Sequence, residues 1–347
     1  ATGLPYLYYT ANANNHKSTP DWYGHYTDYP LKASNLCTEI FLPTNLDESF
    51  VCCLLSMNAA KWDEWKDTKA VRGAIYLLEA IMEEFIQKTE GVEKMKRART
   101  FAQKHRALGL GVLGWHTYLQ SKNQPFNGIF ANSMTKMMFG SIKGKAERAS
   151  EKLAEIYGNC PVIEKYNEDN GTDIKRRHTA LLAVAPTTSN ATIAGGVSPG
   201  IEPLASNYFI LGGAKGNFLI KNEFLERVLE EKYQKNDKET WSSIKSNSGS
   251  VQHLEWMDEG DKEVFLTFSE INQFELVRQA ALRQNYIDQG QSLNVNIPPD
   301  TDPKVVSSLY LLGYELGIKS FYYQRSENIL RKGLKTMEAE ACEACSG

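Results

Sequence analysis

Asn35, Cys37 and Glu39 place an amide, a thiol and a carboxyl at alternate positions of the stretch Ser34-Asn35-Leu36-Cys37-Thr38-Glu39-Ile40. In an extended segment alternate side chains share a face, so these three are expected to project together while Leu36, Thr38 and Ile40 face the other way. A hydrogen-bonding amide, a sulfur and a general base would then meet around one small substrate. The plain alternative is a core strand whose cysteine acts as a small hydrophobe. Further thiols stand at Cys52-Cys53 and, as the pair Cys342 and Cys345, in an acidic, small-residue C-terminal stretch. Hydroxyls cluster at Pro186-Thr187-Thr188-Ser189-Asn190, and two phenols are adjacent at Tyr322-Tyr323.

The surrounding residues say what each group needs. A hydrophobic strand at 181–185 runs into the hydroxyl cluster and then a short helix, an arrangement whose backbone N–H groups suit phosphate, although a Thr/Ser-rich strand end also serves as an ordinary helix cap. Residues 49–60 form an apolar run that fits a buried strand, with Cys52 and Cys53 pointing opposite ways. Paired tyrosines are commonly structural because aromatics favour strands. Neighbours on a regular strand face apart, so a stacked Tyr322–Tyr323 pair requires a local break. The C-terminal stretch cannot pack a core and is expected to be mobile. A half zinc site is its rival, but no second Cys or His pair accompanies it. Gly109, Gly111 and Gly114 formally spell a dinucleotide fingerprint. No hydrophobic strand precedes them and no acidic residue falls between Gly114 and Glu147, so close helix packing is expected instead.

These groups must be positioned by a chain of 347 residues, long enough for one large domain or two modest ones. A hydrophobic share of 42%, a charged share of 23%, a net charge of −3 and a pI near 6.2 describe an ordinary globular protein and argue against a nucleic-acid binder. No apolar run reaches bilayer length and the N-terminus lacks a charged-then-apolar leader, so no membrane span and a cytoplasmic location are expected. Six cysteines in so long a chain do not make a secreted disulfide framework. The histidines lack metal-site spacing, so no metal is expected. The patterning predicts a strand at 4–10, a long surface loop at 11–34, and helices over Ala70–Lys88 and 134–157. In the first of these helices Ile75, Leu78, Ile81 and Phe85 form the apolar spacing. Residues 215–236 and 239–260 read as charged and loop-like around one short amphipathic helix at 224–229. A helix at 303–317 opened by Pro303 and a strand at 319–325 follow.

The string Asn35-Leu36-Cys37-Thr38-Glu39-Ile40 resembles the active-site loop of class I (Ia-type) ribonucleotide reductase large subunits. Cys52, Leu54 and Asn58 match that family's redox-cysteine context. Residues 186–190 resemble its substrate-diphosphate loop, followed by similar Gly195-Gly196 and Gly200-Ile201-Glu202-Pro203. Tyr322-Tyr323-Gln324 resembles its radical relay, and the terminal Cys342 and Cys345 its reducing pair. These motifs occur in family order along the whole chain. The resemblance implies an α/β fold: the second half of a ten-stranded α/β barrel with a central active-site finger loop at about 31–45. Residues 1–330 would form this C-terminal barrel portion, and 331–347 a flexible redox-active tail. The family's ATP cone, effector region, first barrel half and the redox partner of Cys52 have no counterpart here, so an N-terminal complement is expected.

The implied activity is radical reduction of ribonucleoside diphosphates. A di-iron tyrosyl small subunit would supply the radical, which Tyr323 and Tyr322 would pass to Cys37. No cofactor would be bound by this chain itself. Asn35 and Glu39 would bind and deprotonate the ribose. Cys52 would reduce it, Ser34 and the 186–190 loop would hold the substrate, and Cys342 and Cys345 would be recharged by thioredoxin or glutaredoxin. The expected partners are therefore the N-terminal part, the small subunit, the thiol carriers and a higher oligomer. Two other readings are an inactive or regulatory fragment of the same fold, and a thiol-disulfide oxidoreductase centred on Cys342 and Cys345.

Overall fold

The computed structural model describes residues 6–213 and 216–326. Its strands are β1 (Leu7–Tyr8), β2 (Leu54–Asn58), β3 (Gly109–Leu113), β4 (Tyr208–Gly213), β5 (Gly216–Lys221), β6 (Val295–Asn296), β7 (Ser320–Phe321) and β8 (Gln324–Arg325). Helices occupy the connections: Ala70–Lys88 and Lys96–His105 before β3, Ile129–Tyr157 and Pro161–Asn170 after it, Gln273–Gln284 before β6 and Pro303–Glu315 before β7. This alternation is what parallel pairing demands, because a parallel strand must be reached by a crossover.

The pairing builds one curved succession of neighbours. β2 pairs parallel with β3 from Leu54↔Gly109 to Asn58↔Leu113. β3 meets the 181–184 segment at the parallel bridge Leu110↔Leu182, and that segment meets the next at Val184↔Gln291. β6 pairs parallel with β8, and the Tyr322 N–H donates to the Leu293 carbonyl at 2.8 Å. β1 closes this side antiparallel to β7, with Leu7 opposite Phe321 and Tyr8 opposite Ser320. Among the described residues β2 pairs with β3 alone, and the sheet does not close into a barrel. Leu181, Leu182, Ala183 and Val184 are all buried, as expected of a parallel strand covered on both faces.

Ala70–Lys88 buries Val71, Ala74, Ile75, Leu78, Met82 and Ile86 against the sheet, whereas Ile81, expected on that face, is 45% exposed. The expected helix at 134–157 begins earlier, at Ile129. Pro303 stands in the first turn of its helix, as anticipated.

Four expectations are corrected. The strand expected at 4–10 is only the two residues of β1, with Leu4 outside the described residues; Thr10–Asn15 is helical because Asn12 bonds the carbonyls of Tyr314 and Ile318 and docks the turn onto the far end of the chain. The 11–34 stretch is no mere surface loop, since Asn14, Trp22, Tyr23 and Leu31 are buried. The 109–114 glycines lie in β3 and its exit, where a Cβ on Gly111 would run into the Ala183 backbone, so they serve close strand approach rather than helix packing. The 215–260 stretch is less loop-like than expected: its start, β5, pairs antiparallel with β4, and beside the expected helix, observed at Glu223–Glu231 and capped by Asn222, it forms a second at Lys238–Ser246, capped by Asp237. Leu225, Leu229, Trp241 and Ile244 give it a small core of its own.

Candidate active site

The finger loop stands against the inner face of the sheet. Leu31 is held at its base, its N–H donating to Asn14 Oδ1 at 2.9 Å and its carbonyl accepting from Asn14 Nδ2 at 2.8 Å and Tyr8 at 2.9 Å. Ile40, Phe41 and Leu42 are buried, and the Phe41 ring stacks on Tyr8 at 5.2 Å. Polar groups of the strands then grip the backbone of the tip. Ser292 donates to the Cys37 carbonyl at 2.6 Å, Ser320 to the Thr38 carbonyl at 2.9 Å, and the Gly290 N–H to the Glu39 carbonyl at 2.8 Å. Gln289 joins the loop to β3, accepting from the Phe41 N–H and donating to the Leu108 carbonyl. Each such bond is worth about 0.5–1.5 kcal/mol net, and together they fix the tip.

The tip is a turn rather than the extended segment expected from the alternate spacing. Thr38 adopts a left-handed backbone (φ 61°) and its N–H bonds the Asn35 carbonyl at 3.2 Å. Asn35 folds the turn on itself, its Oδ1 accepting from the N–H groups of Glu39 at 3.1 Å and Ile40 at 3.0 Å. The turn still holds Asn35 against Glu39, and Ser292 bonds both the Cys37 carbonyl and the Glu39 carboxylate. The Asn35 amide lies 3.7 Å from Cys52 Sγ. Glu39 is buried and accepts from Ser292 at 3.3 Å. Burial raises its pKa above the carboxylate range, against hydrogen bonds from Asn35, its own backbone and Ser292 that favour the charged form. A carboxylate moved toward neutrality is suited to accept a proton. Ser34 donates to the Asn35 carbonyl at 3.0 Å.

Tyr322 and Tyr323 occupy the break between β7 and β8, where backbone bonds run from Tyr322 to Leu293 and from Tyr323 to Asn294 Oδ1. Freed from strand alternation, the two rings approach to 4.3 Å between centroids at 55°. The Tyr322 hydroxyl lies 3.8 Å from Cys37 Sγ. Its pKa is raised by burial first, then by the neighbouring Cys37 and Tyr323, so the phenol keeps its proton. Two phenols and the thiol thus lie in one line of contact, and the thiol's loop also carries Asn35 and Glu39.

Two other groups are placed less directly. Cys52 is exposed before β2, whereas Cys53 is buried against the Leu78 carbonyl, and burial raises its pKa to about 11. Pro186 to Asn190 lie where the 181–184 segment ends and the short helix Thr188–Ile193 begins, at the carboxyl end of the sheet where α/β proteins bind ligands. The Thr187 hydroxyl accepts from the Gly200 N–H at 2.8 Å, so that group holds the loop, while Thr188, Ser189 and Asn190 are exposed. Asn58, at the end of β2, donates to Ala194 after this helix at 3.2 Å. Cys342 and Cys345 lie outside the described residues. Among the described residues no group of His, Cys, Asp and Glu could hold a metal, and no helix is long and apolar enough to cross a membrane.

The sequence matches the family described as ribonucleotide reductase, barrel domain, over residues 1–324. The chain belongs to the ribonucleotide reductase barrel family. It is 38% identical over 297 residues to the ribonucleoside-diphosphate reductase large subunit of Invertebrate iridescent virus 6, covering 84% of this chain and 30% of that one. It is 35% identical over 356 residues to the putative ribonucleoside-diphosphate reductase large subunit of Frog virus 3, covering all of this chain and 60% of that one. Its fold is similar to the class Id ribonucleotide reductase alpha subunit of Actinobacillus ureae, with TM-score 0.86 and 46% identity over 94% of this chain and 59% of that one. The chain therefore spans less than two thirds of each of these relatives. Membership in the ribonucleotide reductase family accounts for the open sheet as the later part of an α/β barrel.

Sequence reasoning missed residues of this ribonucleotide reductase site. Ser292, Ser320, Gln289 and Gly290 grip the finger loop, yet their spacing carries no motif. Tyr6 packs on both Tyr322 and Tyr323, more than 300 positions away in the chain, and nothing local marks it.

Proposed function

We propose that this chain is the C-terminal part of a class I ribonucleotide reductase large subunit and reduces ribonucleoside diphosphates to deoxyribonucleoside diphosphates. The observation that carries this reading is the Tyr323–Tyr322–Cys37 contact line ending beside buried Glu39. A phenoxyl radical at Tyr322 takes the hydrogen atom of the Cys37 thiol, restoring the phenol and leaving a thiyl. The thiyl takes the 3′ hydrogen of the ribose, and Glu39 accepts the 3′-hydroxyl proton while Asn35 orients that edge. The 2′-hydroxyl leaves as water, and Cys52 with a partner thiol outside this chain becomes a disulfide. The 3′ hydrogen then returns from Cys37, so one dithiol is consumed per deoxynucleotide. Ser34 and residues 186–190 hold the substrate, its diphosphate at the 186–190 loop. Exclusion of water protects the radical steps.

In this reading residues 1–330 are the barrel portion and 331–347 the tail, whose Cys342 and Cys345 re-reduce the site with electrons from thioredoxin or glutaredoxin. The complement is a polypeptide, or a preceding part of the same one, carrying the first barrel half. The assembly is a cytoplasmic oligomer with a radical-generating small subunit. A di-iron tyrosyl centre in that subunit is supported by the motif resemblance, while the structural neighbour is named class Id. Phenols and a thiol accept a radical however the partner makes it. The test is Cys37→Ser in the reconstituted complex. Substrate binding and fold should persist while deoxynucleotide formation stops, because a hydroxyl cannot replace a thiol in reversible hydrogen-atom transfer. Retained turnover would remove Cys37 from the mechanism.

A further inference from the structure

Tyr6 directly precedes β1, and the antiparallel register that sets Leu7 opposite Phe321 and Tyr8 opposite Ser320 continues, one position further, to Tyr6 opposite Tyr322. Its ring centroid lies 4.8 Å from that of Tyr322 at 51° and 5.1 Å from that of Tyr323 at 84°. With the 4.3 Å spacing inside the pair, three phenols form a closed triangle, and its Tyr322 corner points at the Cys37 sulfur 3.8 Å away. Its hydroxyl stands in the same electrostatic group: burial first and then Tyr323 raise the Tyr6 pKa, while Tyr322 lowers it. An aromatic contact could be packing alone. Here, however, the pair sits in a strand break, so its stacking depends on groups outside β7 and β8. Asn294 holds the Tyr323 backbone and Leu293 the Tyr322 backbone, leaving the rings themselves to be set by Tyr6. β1 is the antiparallel partner of β7, and it delivers that residue.

We propose that Tyr6 is a positioning residue of the radical route: its ring closes the third side of the Tyr322–Tyr323 pair, and its hydroxyl keeps their proton network aimed at Cys37 without itself being oxidised. This rests on the function proposed above. In the step it serves, the Tyr322 phenoxyl gains one hydrogen atom and the Cys37 thiol loses it, so Tyr6 enters and leaves as a neutral phenol.

The experiment uses the full-length large subunit with its small subunit, comparing Tyr6→Phe, which keeps the ring, with wild type. kcat should fall roughly tenfold, the consequence of losing one hydrogen bond to the proton-coupled step, while KM for the diphosphate is unchanged. In a second arm 3-aminotyrosine replaces Tyr322, and the electron paramagnetic resonance spectrum of the trapped radical reports hydrogen bonding at its oxygen. Tyr6→Phe should shift that spectrum, which a change in packing or stability would not. Unchanged kcat with an unchanged spectrum overturns the proposal. So does radical trapped on 3-aminotyrosine placed at position 6, which would make Tyr6 a carrier. Failure of wild type to reduce nucleotide would instead refute the underlying function, and the two failures are thereby distinct.

Discussion

Cys37 sits within the finger loop and Cys52 beyond it, before β2, and the chain treats them differently. Cys37 is half-buried and held from within this chain: Ser292 bonds its carbonyl, Ser320 and Gly290 bond the carbonyls of Thr38 and Glu39 beside it, and Tyr322 faces its sulfur. Cys52 is exposed beside β2, which among the described residues has a strand on one side alone. Next to it an apolar groove of about 230 Å³ is lined by Val51, Cys53, Leu54, Ile81, Met82 and Phe85. The difference teaches that the Cys37 side of the site draws its supports from this chain, while the Cys52 side leaves a strand edge and apolar surface open among the described residues. An open strand edge beside apolar surface is a place for another strand and its helix.

The sharpest way to break that comparison is complementation. This chain with an active small subunit should form no deoxynucleotide, and adding a polypeptide with the first barrel half should restore turnover. Full activity without the addition would mean that the Cys52 side needs no cover. The next effect is a single methyl group on the Cys37 side. A Cβ at Gly290 would overlap the Phe41 ring that anchors the finger loop. Gly290→Ala should therefore destabilise the fold by about 1–3 kcal/mol in chemical denaturation and lower turnover, as overpacking does. Stability equal to wild type would show that the loop seat is loose.

The linker to the Cys52 side offers a smaller, pH-dependent contrast. Glu48 is bound by His105 at 3.0 Å and by Lys104. The hydrogen bond from His105 holds its pKa down at about 2, with burial opposing and Lys104 assisting. A folded value below the unfolded one, about 4.3, means the contribution is complete above that value and is lost as pH falls toward the folded one. Burial also lowers the His105 pKa, which acts in the same direction. Glu48→Gln should flatten the acid side of the stability–pH curve by on the order of 2 kcal/mol, and an unaltered acid limb would show that the ion cluster is idle.

Much of this was legible in the sequence because chemistry-bearing residues sat close together. Asn35 folds onto Glu39 within one loop, and Tyr322 and Tyr323 do sit in a break between short strands. The geometry of the first group was not legible. Alternate spacing implied an extended face, but Asn35 satisfies the Glu39 and Ile40 N–H groups and so stabilises a turn that only a left-handed Thr38 completes. The charged 215–260 stretch hid the capped helix Lys238–Ser246 because its apolar residues are few and meet in a small core of their own. Tyr6, Gln289, Ser292 and Ser320 were invisible for a different reason. Their partners lie far along the chain, and only sheet register brings them together.

The central claim is that the radical reaches Cys37 through Tyr322, and Tyr322→Phe in the full-length large subunit tests it most directly. Phenylalanine keeps the ring but has no hydroxyl to exchange a hydrogen atom with the thiol. Substrate binding, measured by calorimetry on the same preparation, should match wild type while deoxynucleotide formation with the small subunit falls to background. Turnover at the wild-type rate would contradict the account.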